Sequence, residues 1–243
     1  GPVFNKNQIY LDELSNMIFL SLTNKSNNSS KNIINAGINS TSQIKAIKKF
    51  IELNEIKKTI FLTPDVDYKK EITRAISNSK IKIIKNHIYS TDPTKLTKQI
   101  EKITRYKIRK QNLEDEILRL EKLDESKNER LIEKLKKRDT LGSVNFDSII
   151  IADFDESLKS VTTSLLYTDI SPKKKYFITL NQWFDESLLN ESSSQPLYFP
   201  SINKKNYEEF SKEYYGKFNK FPNQLSFLSF DLVGLVYYLI LQN

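Results

Sequence analysis

Three stretches of this sequence repeat one plan, and that plan constrains the fold more than any other feature. In residues 56–77 (IKKTIFLTPDVDYKKEITRAIS) the apolar run TIFL stops at Thr63-Pro64-Asp65, and Ile72, Ala75 and Ile76 then recur at helical spacing. In residues 146–167 the run Ile149 to Ala152 is followed by Asp153 and a helical pattern. In residues 175–190 the run Tyr176 to Leu180 leads through a polar turn to Phe184 and Leu189. Short apolar runs bounded by turn residues read as buried strands, and the segments after them read as amphipathic helices. Repeated strand–loop–helix units predict an α/β protein with parallel sheets flanked by helices. In such sheets ligands are held beyond the carboxyl ends of the strands, where all three polar loops fall.

The rest of the chain fits around these units. MIFL at 17–20 reads as a short strand ending in the polar run Ser21-Leu22-Thr23-Asn24, and residues 25–32 as a Ser/Asn/Lys loop. Thr41-Ser42 can cap a helix over about 43–54, and residues 81–89 read as another strand. Asp92 and Pro93 suit the N-cap and first position of a helix. The region from Thr94 to Arg138 is helical and highly charged, and its thinning apolar stripe predicts a pair of solvated helices hinged near 124–128. Tyr207, Phe210, Tyr214 and Phe218 form one stripe of a later helix. The last helix, from Leu225 to Leu241, is apolar almost all round. Asp231 at mid-helix, and the lack of a basic flank after it, favour a buried core helix over a membrane span.

A formal net charge of +8 invites a nucleic-acid reading. Single-strand and RNA readers interleave aromatics with their basic residues. In the basic helical region only Tyr106 does so, so the charge reads as a solvated face and nucleic acid is not expected as a partner. With no Cys, disulfides, zinc–thiolate sites and cysteine nucleophiles are excluded. His87 is the single histidine, which excludes a His-based triad and a multi-histidine metal centre. No phosphate-binding glycine loop or nucleophile-elbow motif occurs. Asp65 and Asp67, Asp153 with Asp155 and Glu156, and Asp185 with Glu186 all follow strand ends, where carboxylates could bind a metal or act as an acid–base pair. Acidic residues there equally cap the helix and favour its positive end, and that reading is preferred. The expectation is a non-enzymatic protein without metal or cofactor.

For binding, the strand-end loops supply Ser21, Thr23 and Asn24, then Tyr68, Phe154, and Asn181 with Gln182. Hydroxyls and amides beside aromatic faces are the mixture of a polar small-molecule cleft.

The order of motifs resembles the type 1 periplasmic binding protein superfamily, the Leu/Ile/Val-binding class, and within it the penicillin-binding-protein activators. Gly1-Pro2-Val3-Phe4 is similar to the family's strand-end signature, Ile18 to Asn24 to its Ser/Thr-rich ligand loop, and Thr63 to Tyr68 to its Pro-Asp-x-x-Tyr loop. Tyr106 with Arg109 resembles a Tyr-x-x-Arg stretch of the activator branch. Trp183-Phe184-Asp185, Tyr215-Gly216 before Phe221-Pro222, and Ser229 to Val233 complete the ordered set. The chain departs from the pattern at Lys69, where solute-binding relatives have Gly, and at Asn181-Gln182, where amino-acid binders often place an acidic residue.

The resemblance implies two Rossmann-like lobes: residues 1–77 plus about 206–243 in a first lobe, and 78–205 in a second with a charged helical insertion at about 98–138. The first lobe would be incomplete, its opening βα units and final strands lying outside this chain. It implies Asn5 as a further ligand contact. It also implies an envelope activator of a peptidoglycan synthase or, as the alternative, the substrate-binding protein of an ABC transporter for a small polar or amino-acid-like ligand. The partner would be that synthase or the transporter permease. The location would be periplasmic or outer-membrane-anchored as a lipoprotein, with no transmembrane span.

Overall fold

Thr59–Pro64 (β3) is buried at every position, so it must lie inside a sheet covered on both faces. The computed structural model describes residues 11, 13–14, 16–24, 31–182 and 186–242. Its chain divides into two compact units, residues 1–49, 71–79 and 200–243 in one and 50–70 and 80–199 in the other.

The second unit holds a five-stranded parallel sheet of β3, Ile83–Tyr89 (β4), Ser148–Ile151 (β5), Tyr176–Thr179 (β6) and Leu197–Tyr198 (β7), in the order β4-β3-β5-β6-β7. The sequence places β3 in the lobe of residues 1–77; in the structure it hydrogen-bonds to β4 and β5 within the second unit. The side chains of β3, β5 and β6 alternate across the sheet, as the twofold strand period requires. Ile60, Leu62, Ile149, Ile151 and Phe177 join one core with Leu96 and Ile100 of Pro93–Ile103 (α3) and Leu158, Val161 and Leu165 of Asp155–Tyr167 (α5). Phe61, Ile150 and Ile178 point to the other face and are equally buried. α3 starts as its sequence dictates: the Asp92 carboxylate accepts from the Thr94 and Lys95 N–H groups, and Pro93 takes the first turn.

After Arg105, whose φ of +54° ends the run of α3, Tyr106–Lys136 (α4) is assigned as one helix of 31 residues. It cannot be straight. Residues 15 apart in a straight helix are separated by about 22 Å along the axis, yet Lys136 Nζ lies 3.0 Å from Glu121 Oε1. Leu113, Leu120, Ile132 and Leu135 also share one small core, and Asn128 donates to the Leu120 carbonyl. The helix doubles back between Leu120 and Asn128, where the sequence places its hinge.

The first unit contains a two-stranded parallel sheet of Phe19–Ser21 (β1) and Ile33–Asn35 (β2). Ser40–Leu53 (α1) and Lys69–Ser79 (α2) each run across the division; Ser40 Oγ donates to Glu71 Oε1 at 2.6 Å. Gly37 sits so close to the 22–23 backbone that a Cβ there would lie 2.2 Å from the Thr23 carbonyl oxygen, so no larger residue fits. Beyond the short helix Glu186–Leu189 (α6) of the second unit, Lys204–Phe218 (α7) meets Gln224–Leu241 (α8) through Tyr207, Phe210, Phe227 and Phe230.

The expected burial of that last helix is overturned. Phe227 is its one buried residue, and Phe230, Val233, Leu235 and 237–241 are exposed. The reason is geometric: apolar residues ring α8 on all sides, and among the described residues of this unit the aromatic stripe of α7 covers only one of them. By length and composition α8 is long and apolar enough to cross a membrane.

Candidate ligand-binding site

β3 is followed in sequence by β4 on one side of it and, after the long helical excursion, by β5 on the other. That reversal makes the gap beyond the carboxyl ends of β3 and β5 the switch point of the sheet, where two loops diverge and leave a crevice. The loop after β3 carries Tyr68 and the loop after β5 carries Asp153 and Phe154, so the topology alone brings these residues together.

Asp153 organises the site. It is 4% exposed, and its two oxygens accept from four donors. Oδ1 takes the Phe154 N–H at 2.9 Å and the Tyr68 hydroxyl at 3.2 Å; Oδ2 takes the Tyr89 hydroxyl at 2.5 Å and the Ser157 hydroxyl at 2.6 Å. The Tyr68 hydroxyl also lies 3.3 Å from the Ala152 carbonyl and shares its one proton between the two acceptors. A carboxylate this buried is tolerable because its lone pairs are filled. Its charge in turn holds the phenols protonated. Burial first, and then Asp153, push the pKa of Tyr89 far above its ordinary value, and Tyr68 is raised by the same causes with a smaller contribution from Asp155. Asp153 therefore fixes the ring of Tyr68, which stands edge-on to Phe154 with centroids 5.7 Å apart.

Each candidate has a definite place. Tyr68 and Phe154 meet and are both partly exposed, as a ligand contact requires. Gln182 is buried and its amide is committed to the Asp153 and Leu180 carbonyls and the Thr179 hydroxyl, so it ties the loop after β6 to the loop after β5. Asn181 beside it is also buried. Ser21, Thr23 and Asn24 belong to the first unit; Ser21 and Thr23 are buried, with Ser21 Oγ accepting from the Thr23 N–H, and Asn24 is exposed. Asn5 and the segment from Trp183 to Asp185 lie outside the described residues.

The remaining carboxylates do different work. Asp65, in the loop after β3, pairs with Lys69 at the start of α2, and Glu156 pairs with Lys159 along α5. Asp155 opens α5 at φ +49°, is exposed, and is close enough to act on the Tyr68 hydroxyl. Among the described residues no three His, Asp or Glu side chains gather as metal ligands. Sequence reasoning missed Tyr89 and the central role of Asp153. The available signal was an aspartate closing an otherwise uniformly apolar strand, IIIAD.

No protein-family model matches the chain, and no curated protein matches it in sequence. Solved structures do match. An ABC transporter substrate-binding protein from Desulfitobacterium hafniense superposes with a TM-score of 0.58 at 12% identity, over 95% of this chain and 59% of its own. The branched-chain amino acid binding protein LivJ of Streptococcus pneumoniae, solved with isoleucine, gives 0.56 at 15% identity, over 94% and 58%. A periplasmic ligand-binding protein of a branched-chain amino acid ABC transporter from Burkholderia xenovorans gives 0.54 at 10%, over 89% and 51%. The chain thus spans less than two thirds of the length of these proteins. Over that span, with its parallel sheets flanked by helices, it has the fold of the type 1 periplasmic binding proteins.

Proposed function

We propose that the chain is the greater part of a non-enzymatic, exported solute-binding domain for a small polar or amino-acid-like ligand, working with a membrane permease. The observation that carries this reading is the Asp153 cluster at the switch point. A buried carboxylate, its lone pairs filled by four donors, holds the Tyr68 hydroxyl and so the ring beside Phe154, leaving two aromatic faces partly open where such sheets take their ligands. Asp155, at the same loop, supplies the exposed carboxylate for a ligand ammonium that Asn181-Gln182 does not. The three similar structures named above are all binding proteins of transporters. The activator role and a lipoprotein anchor therefore have the motif resemblance as their support, and the substrate-binding role has both.

A thermal-shift screen of the chain with branched-chain, aromatic and polar amino acids tests this. A ligand at a hundred times its Kd stabilises by about 2.7 kcal/mol, or roughly 5–11 °C for a chain of this size. The shift should vanish in Tyr68→Ala and fall sharply for amino acids in Asp155→Asn. A screen without any shift, or a shift that survives Tyr68→Ala, overturns the proposal.

A further inference from the structure

At the opposite end of the same sheet lies a cavity that the strand-end site does not use. It is formed by the segment leading into β5, the segment leading into β6 and the start of α4, with a volume of about 340 Å³. Its floor is Arg109, whose side chain is 7% exposed. The guanidinium donates to the Thr168 carbonyl at 3.0 Å, the Thr140 hydroxyl at 2.6 Å, the Gly142 carbonyl at 3.4 Å, and the Asp169 carbonyl and carboxylate at 3.4 Å. The Thr140 hydroxyl in turn donates to Asp169 Oδ2 at 2.6 Å. Two residues accept left-handed backbone here, Gly142 at φ +101° and Asp169 at +58°, so the walls are shaped by a closed network rather than by loose loops.

The rim carries charge that this network leaves over. Lys137 and Arg138 approach from the β5 side, and Lys174 and Lys175 from the β6 side. Lys175 lies over the Phe146 ring at 5.9 Å, and Lys137, Arg138 and Lys174 make no ion pair among the described residues. Two carboxylates share the cavity: Asp169, which Arg109 and Thr140 already engage, and the exposed Asp139. Five cationic groups against two carboxylates leave an excess of positive charge, supplied from two sides. A planar carboxylate meets donors in one plane; a tetrahedral oxyanion offers oxygens to both walls at once. The volume, near the lower limit of small-molecule sites, suits one or two phosphate groups.

We propose that this cavity is a second binding site, for a compact phosphate-class polyanion of pyrophosphate size. The ligand is either free in solution or the headgroup of an anionic phospholipid, the chemistry being the same. Because all of its residues belong to the second unit, it stands whether or not the strand-end loops bind a solute.

Titration calorimetry of the full chain with inorganic pyrophosphate and tripolyphosphate, alongside flotation with phosphatidylglycerol vesicles, tests it. The rim residues are exposed, so the Lys137→Ala/Arg138→Ala double variant and Lys174→Glu should fold as the parent does, which circular dichroism and melting checks confirm. Each should weaken binding by about tenfold or more, since a charge-assisted hydrogen bond is lost. Lys98→Ala/Lys102→Ala, on α3, should leave it unchanged. Sensitivity of pyrophosphate binding to the rim variants identifies a soluble ligand. Vesicle binding with that sensitivity, without pyrophosphate binding, identifies a lipid headgroup. Absence of both, or binding indifferent to the rim variants, overturns the proposal.

Discussion

Replacing Asp153 by Ala removes the acceptor of four donors at once, and the structure says which of them matter. The Tyr89 side chain is 1% exposed, so its hydroxyl has no water to turn to. An unsatisfied buried donor costs about 1–3 kcal/mol. The Ser157 hydroxyl and the Phe154 N–H are part-buried and the Tyr68 hydroxyl keeps the Ala152 carbonyl, so these together add about as much again at most. The expected loss is about 3–5 kcal/mol, or some 6–20 °C in Tm at roughly 2–4 °C per kcal/mol for a chain of this length. Asp153→Asn keeps the size and one oxygen, and the hydroxyls can rotate to accept from the new amide, so it should cost only about 1 kcal/mol. Urea denaturation followed by far-UV circular dichroism reads the loss. A double-mutant cycle with Tyr89→Phe should show coupling, because Phe removes the donor that Ala leaves stranded. The reasoning is refuted if Asp153→Ala stays within about 0.5 kcal/mol of the parent, or if the two losses simply add.

Two further outcomes follow from the same contacts. Tyr68 and Tyr89 have pKa values raised above the ordinary 10.0. Above pH 10 the unfolded chain therefore releases those protons first and binds fewer than the folded one. Their contribution is fully present below that pH and is lost as pH rises beyond it. Melting temperature should fall steeply on the alkaline side, and Tyr89→Phe should flatten the slope; an unchanged slope contradicts the assignment. Arg109→Met strands the Thr168 carbonyl after α5 and takes one of two donors from the Asp169 carboxylate. It should destabilise by about 1–3 kcal/mol, the cost of a stranded buried polar group, because Asp169 is a third exposed and keeps the Thr140 hydroxyl, with hydrogen exchange rising first in residues 137–142 and 168–170.

Much of the fold could be read from residue order because the relevant forces are local. Ile149 to Ala152 is too apolar to be anything but an interior strand, and Asp92-Pro93 can do little except start a helix. The site was legible only in part. Tyr68 and Phe154 could be named because they follow strand ends, but their meeting depends on β3 and β5 being neighbours, which brings together Tyr68 and Ala152 at a sequence separation of 84 and which no local pattern encodes. Gln182 looks like a ligand amide in sequence, and only the geometry shows it spent on carbonyls. α8 misled for the opposite reason: its composition reports a need to be covered and says nothing of what covers it.

The doubled-back α4 gives an experimental handle. Its two limbs zip through Leu113, Leu120, Ile132 and Leu135, and Arg109 ties its base to the turn that follows α5. Its turn lies about 20 Å along the limb from that knot, so it works as a mast. An epitope or fluorophore spliced near residue 125 would ride clear of both proposed sites, and insertions at such tips are well tolerated. The chain could then be tethered, imaged or pulled without touching the surfaces on which its ligands are expected to land.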